Sequence, residues 1–137
     1  MIYLLDTNAA IATMSGKPAS VRNALDEARA QHHMTALSVL TIHELWYGVA
    51  KSERKAANTE ALQKVMASGF EIWVFDADDA EIAGEIRGNL ATAGTPIGPY
   101  DLLIAAQALR RNAVLVTANE REFNRVRGLK TRNWAKR

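Results

Sequence analysis

Cysteine is absent from the chain, so neither a disulfide nor a thiolate metal site can be built from it. Histidine is scarce: His32 and His33 read as a loop at a helix end, and no second histidine stands at metal-binding spacing on the same face. No long apolar run occurs either. Met1 leads into a short apolar stretch that meets Asp6 at once, so neither a signal peptide nor a transmembrane span is expected, and the expected location is cytoplasmic. Linkers and repeats are missing too, and residues 1–137 read as a single domain, long enough to remove roughly two-thirds of its unfolded surface from water. Net charge is small, +2, but unevenly spread. From residue 110 onward Arg110, Arg111, Arg121, Arg125, Arg127, Lys130, Arg132, Lys136 and Arg137 face only Glu120 and Glu122. On a chain whose candidate site is acidic, a basic C-terminal quarter suggests an anionic partner held near a cation pocket; a solvated surface gives the same composition.

What is present is a set of short strand segments, apolar but for Thr35 and Glu71, at residues 2–5, 34–37, 70–75 and 113–116, with a more polar last one at 130–134. Helical patterns lie between them. A weak one covers 9–14, and one capped by Ser20 carries Val21, Ala24, Leu25 and Ala28. Ser38 caps a third with Val39, Ile42, Leu45, Trp46 and Val49 on its apolar face. Residues 51–55 read as a charged connection, 59–68 as a helix closed by Gly69, and 76–93 as a helix with an acidic first turn closed by Gly94. This alternation predicts an α/β domain with a short, mainly parallel sheet and helices on both faces, and ligands bind such sheets beyond the carboxyl ends of the strands.

The stretch at 96–106 organises the site. Gly98 and Pro99 start a helix, Asp101 falls in its first turn, and residues 102–109 are apolar but for Gln107, so a lone carboxylate stands at the mouth of an enclosed helix. Asp6 follows the first strand, Glu44 lies within the third helix, and Glu122 follows the strand at 113–116. Each acid has a plain reading: Asp6 as a helix cap, Asp101 as a partner of the helix dipole, Glu44 as a surface partner of Lys51, Glu122 as solvated. If the four converge, two carboxylates about 5 Å apart repel by roughly 3 kcal/mol at an effective dielectric near 20, and a shared cation is the natural compensation. Oxygen ligands without His or Cys select a hard ion, Mg²⁺ or Mn²⁺, which suits in-line hydrolysis of a phosphodiester.

Asp6-Thr7-Asn8, the run Glu44-Leu-Trp-Tyr-Gly48, Pro96-Ile-Gly-Pro-Tyr-Asp-Leu-Leu-Ile-Ala-Ala106, and Leu115-Val-Thr-Ala-Asn119 with Glu122-Phe123 resemble the PIN domain, and more narrowly VapC-type toxins. The resemblance spans nearly the whole chain and implies a magnesium-dependent ribonuclease, the toxin of a bacterial toxin–antitoxin pair, with a small antitoxin bearing a DNA-binding end and a toxin homodimer. It also implies that Asp6, Glu44 and Asp101 bind metal and that Thr117 and Asn119 flank the pocket. Glu122 stands where many relatives carry aspartate, so its role as a fourth ligand is open. Thr7 and Asn8 are placed to orient carboxylates by hydrogen bonds.

Arg121, Arg125 and Arg127, with Lys130 and Arg132, follow the last motif and are candidates for RNA phosphate contacts. His43 adjoins Glu44 but points to another helix face and is read as structural; Trp46, Tyr47 and Met66 are read as core, with an antitoxin-binding face around Trp46 as the alternative. Two other functions compete. An aspartyl phosphatase using Asp6 needs a second acid two residues on, where Asn8 stands. A non-catalytic RNA- or protein-binding module keeps the fold without turnover. Without metal, Asp101 is expected to be loosened or partly protonated by its neighbours.

Overall fold

The computed structural model of the chain describes residues 1–136. Five strands form one sheet: β1 (Ile2–Leu5), β2 (Met34–Ser38), β3 (Glu71–Trp73), β4 (Val114–Val116) and β5 (Lys130–Arg132), in the order β3-β2-β1-β4-β5, every pair parallel. Seven helices connect them: α1 (Thr7–Ser15), α2 (Ala19–Ala30), α3 (Val39–Ala50), α4 (Lys55–Met66), α5 (Ala77–Ala93), α6 (Pro99–Arg110) and α7 (Glu120–Phe123). The mainly parallel sheet expected from the apolar strand segments is therefore wholly parallel.

Register divides the core. Leu4 aligns with Ala36 and Leu115, and this row packs on α5 and α6 through Ile86, Leu90, Leu102 and Ile104. Leu5 aligns with Leu37 and Val116, and this opposite row packs on α1 to α4 through Ala10, Leu25, Leu45 and Leu62. Successive strand residues face opposite sides of the sheet, so with helices on both faces these strands are apolar on both sides, and the buried polar residues of β2 are the small Thr35 and Ser38.

Several boundaries differ from the sequence reading, each for a local reason. Helix α1 begins at Thr7 because the Asp6 side chain accepts the Ala9 N–H and caps it. Ser20 does not cap α2: that helix starts at Ala19 behind Pro18, and Ser20 Oγ lies 3.4 Å from the Ala135 carbonyl. Helix α4 starts at Lys55, not 59, because Lys55-Ala-Ala is strong helix-forming sequence whatever its charge. Ser38 caps α3 as expected, accepting from Leu40 N–H at 3.0 Å, and Gly69 takes the positive φ of 112° predicted past α4.

At the N-terminus of α5 the chain buries a charge that the sequence reading did not single out. Asp79 is completely buried, completes a capping box with Asp76, and receives Arg110 and Arg111, each at 3.0 Å. Arg110 also reaches Asp76 at 2.9 Å and Asp78 at 3.3 Å. Two members of the basic C-terminal quarter are thus neutralised within the fold and are not available to an anionic partner.

Candidate active site

Strand order reverses between β1 and β4: the chain leaves β1 toward β2 on one side and reaches β4 on the other. A crevice opens beyond the carboxyl ends of these two strands, and this is where an open α/β sheet holds its ligand. Asp6 is the first residue past β1 and Thr117 the first past β4. Asp6 is 6% exposed; burial raises its pKa, hydrogen bonds from the Thr117 hydroxyl and the Ala9 N–H oppose that, and Glu44 adds repulsion. Thr117 also accepts the Asn119 N–H at 2.9 Å, so its hydroxyl is held between the two.

Glu44 comes from α3. Thr7 Oγ donates to its Oε1 at 2.8 Å, with Thr41 Oγ 3.4 Å from the same hydroxyl. Thr7 thus holds one oxygen of the Glu44 carboxylate, and Lys51 sits over the Tyr47 ring instead of pairing with Glu44. Asn8 is exposed on the first turn of α1 and, among the described residues, donates to none of these carboxylates.

Helix α6 presents Asp101 from its first turn, three residues past the cap Gly98, with Pro99 as its first residue. Its apolar body is enclosed as expected: Leu102, Ile104, Ala105, Ala106, Gln107 and Ala108 are buried. The carboxylate folds back so closely that a Cβ on Gly98 would stand 3.3 Å from Asp101 Oδ2, and glycine keeps that space open. Burial, then repulsion from Glu122, Asp6 and Glu44, in that order, pushes the Asp101 pKa up to about 6. All four acids contribute to one electrostatic centre.

Glu122 plays a distinct part. Its Oε1 accepts the Gly98 N–H at 2.9 Å and its Oε2 accepts the Asn119 side-chain amide at 2.7 Å, and these two bonds hold its pKa below the usual carboxylate range. It ties α7 to the mouth of α6 by taking up the N–H of the N-cap residue Gly98 itself. Asn119 acts through Glu122, and Thr117 through Asp6.

Among the described residues none of the four acids forms an ion pair, and no three acid or histidine side chains close into a ready-made chelate. The donor chemistry nevertheless fits a hard divalent cation. Asp6, Glu44 and Asp101 offer only oxygen and retain lone pairs, and burial and mutual repulsion already disfavour the charge of Asp6 and Asp101. The candidate RNA arginines fare unevenly. Arg121 is exposed on α7, Arg125 is bound to the Pro96 carbonyl at 3.0 Å beside Glu122, and Arg127 lines a cavity with Ile82 and Glu85 of α5 and none of the four acids.

Sequence reading missed the rim aromatics. Tyr47 is 61% exposed and Trp46 37%, so neither is core, and His43, exposed as well, has its Nε2 3.4 Å from the Tyr100 hydroxyl. The available signal was adjacency: these two rings immediately precede Glu44 and Asp101 in the chain.

The PIN domain family model matches residues 3–129. The chain is 41% identical to Ribonuclease VapC2 of Rickettsia felis over 99% of its own length and 100% of that protein's, and 38% identical to the tRNA(fMet)-specific endonuclease VapC of Shigella flexneri over 97% and 98%. The crystal structure of VapBC2 from Rickettsia felis bound to a DNA fragment from their promoter superposes with a TM-score of 0.90 at 40% identity, covering 98% of this chain and 99% of that one. With its family motifs gathered at the carboxyl edge of the sheet and relatives matched along their whole length, the chain belongs to the PIN domain family, among its VapC-type ribonucleases.

Proposed function

We propose that this VapC-type ribonuclease is a magnesium-dependent endonuclease, active also with Mn²⁺, and that it is the toxin partner of a small cognate antitoxin. The observation that carries the metal dependence is the group of Asp6, Glu44 and Asp101, drawn from separate elements and without an ion-pair partner among the described residues, with the Asp101 pKa pushed up to about 6 by burial and by repulsion from Glu122, Asp6 and Glu44. Asp6, Glu44 and Asp101 are the residues that would hold the cation; Glu122, committed to Gly98 and Asn119, positions the start of α6. A bound Mg²⁺ would supply positive charge against the phosphodiester and acidify a water molecule.

The chain's own groups do the rest. Glu44 is fixed through Oε1 by Thr7, which leaves Oε2 to orient the attacking water and accept its proton. Thr117 and the Ala9 N–H hold Asp6 against its desolvation. Arg125, anchored on Pro96 beside the mouth, is placed to meet a phosphate of the substrate, and exposed Arg121 is a second candidate. The antitoxin is proposed from the VapBC2 complex, the homodimer from the family resemblance of the motifs alone, and the name of the Shigella relative makes tRNA(fMet) the first substrate to assay.

The test is cleavage of labelled RNA by wild type, Asp6→Asn and Asp101→Asn, with excess Mg²⁺ and with EDTA. Loss in both variants and in EDTA supports the assignment; wild-type rates in either variant, or turnover in EDTA, overturn it.

A further inference from the structure

The acid crevice has an aromatic rim that the proposed chemistry does not use. His43 of α3 and Tyr100 of α6 face one another: the tyrosine hydroxyl lies 3.4 Å from His43 Nε2, and the ring centroids are 5.8 Å apart at 45°. Both are exposed, Tyr100 by 43%. One turn along α3, Tyr47 shares the His43 face by its i+4 spacing and is 61% exposed. One further turn on, Lys51 places its ammonium 4.8 Å from the centroid of the Tyr47 ring. This face presents planar rings ending in a cation, and it begins at the neighbours of two catalytic acids.

We propose that Tyr100, His43 and Tyr47 form a stacking track for unpaired bases of single-stranded RNA, with Lys51 meeting the backbone at its far end. The inference rests on the ribonuclease reading and deepens it by naming the side chains that hold the strand. Stacking on exposed rings is how proteins hold single strands, because every base has a π face whereas a duplex hides its own. The hydroxyl-to-imidazole contact is long for a hydrogen bond, so a base that parts the two rings gives up little. Lys51 suits a polyanion, and the track starts at His43 and Tyr100, the chain neighbours of Glu44 and Asp101.

Binding of a short fluorescein-labelled single-stranded RNA is measured by anisotropy in the Asp101→Asn chain, so that the probe is not cut. Adding Tyr100→Ala or Tyr47→Ala should weaken binding by about 5- to 100-fold each, the range found for loss of one base–aromatic stack. Tyr100→Phe, which keeps the ring, should weaken it much less. A probe with abasic sites should bind poorly and show no difference between chains with and without Tyr100→Ala. Unchanged affinity in both alanine variants overturns the proposal, as does a duplex probe bound as tightly and with the same sensitivity. Unchanged RNA affinity with altered sedimentation assigns the face to a protein interface and equally overturns it. Wild type is assayed for cleavage in parallel. If it cuts RNA while the alanine variants bind normally, only the track is wrong; if it neither cuts nor binds RNA, the ribonuclease reading fails with it.

Discussion

Two dense groups of carboxylates stand at N-termini of helices in this molecule, built in opposite ways. At the start of α5, Asp76, Asp78 and Asp79 are closed by Arg110 and Arg111, and the buried Asp79 is paired with both. At the start of α6, Asp101 meets Asp6, Glu44 and Glu122, and none of these has a cationic partner at ion-pair distance among the described residues. The first group satisfies itself and serves the fold. The second keeps an electrostatic deficit that folding does not remove, and such a deficit marks a binding site for positive charge. Density of acids in the sequence does not separate the two, since Asp76-Ala-Asp-Asp79 is the more acidic stretch; the presence of arginine in space does.

The comparison breaks first under charge removal. Asp101→Asn should lower RNA cleavage on the order of a thousandfold, the scale expected when several kcal/mol of metal-assisted stabilisation is lost, without loss of folding in urea titration. Asp79→Ala should do the reverse. Removing the one buried partner of two arginines and one arm of the capping box should cost about 3 kcal/mol of stability, read as a lower urea midpoint, with the activity of the remaining folded enzyme retained. If Asp79→Ala abolishes turnover in folded protein, or Asp101→Asn unfolds the chain, the division between the groups is wrong.

Glu122 sharpens it further, being an acid of the second group that does structural work. Glu122→Ala should reduce cleavage by about 10- to 100-fold, as loss of an outer orienting contact does, whereas Glu122→Gln keeps an acceptor for Gly98 N–H and should recover most of that loss. A Gln variant as inactive as Asp101→Asn would make Glu122 a ligand through its charge.

Asp101 and Asp76, one from each group, also titrate with opposite sign. Asp101 has its pKa raised to about 6 from an ordinary 3.8, so the folded state holds a proton that the unfolded chain has released, and stability falls as pH rises from about 4 to about 6. Asp76 is held below its ordinary value, first by the Asp79 N–H and then by Arg110, so its contribution is present above 3.8 and lost as pH falls through its lowered value. Melting in EDTA should show Asp101→Asn more stable than wild type near pH 7, with the difference fading toward pH 4. An equal difference at both ends would contradict the raised pKa. The smallest effect is expected at Gly98, where alanine adds a Cβ 3.3 Å from Asp101 Oδ2; a several-fold loss of cleavage with little change in melting would show that the close approach matters.

Much of this was legible in the chain itself. Short apolar strands leave no polar face, so a parallel sheet covered on both sides was implied by residues 2–5, 34–37 and 113–116 alone. Gly98-Pro99 before Asp101 announced a helix mouth with an acid in it, and the order of motifs announced the family. Sequence could not show where arginine goes. Arg110 and Arg111 read as part of a basic quarter facing outward, yet the close packing of α5 on α6 turns them onto Asp79, while Glu122 spends itself on Gly98. His43 and Tyr100, 57 positions apart, become neighbours only because α3 and α6 meet at the same edge of the sheet. Periodicity and capping are local and survive in a string of letters. Whether a charge is neutralised or left for a ligand depends on separations between distant segments, and the fold alone sets those distances.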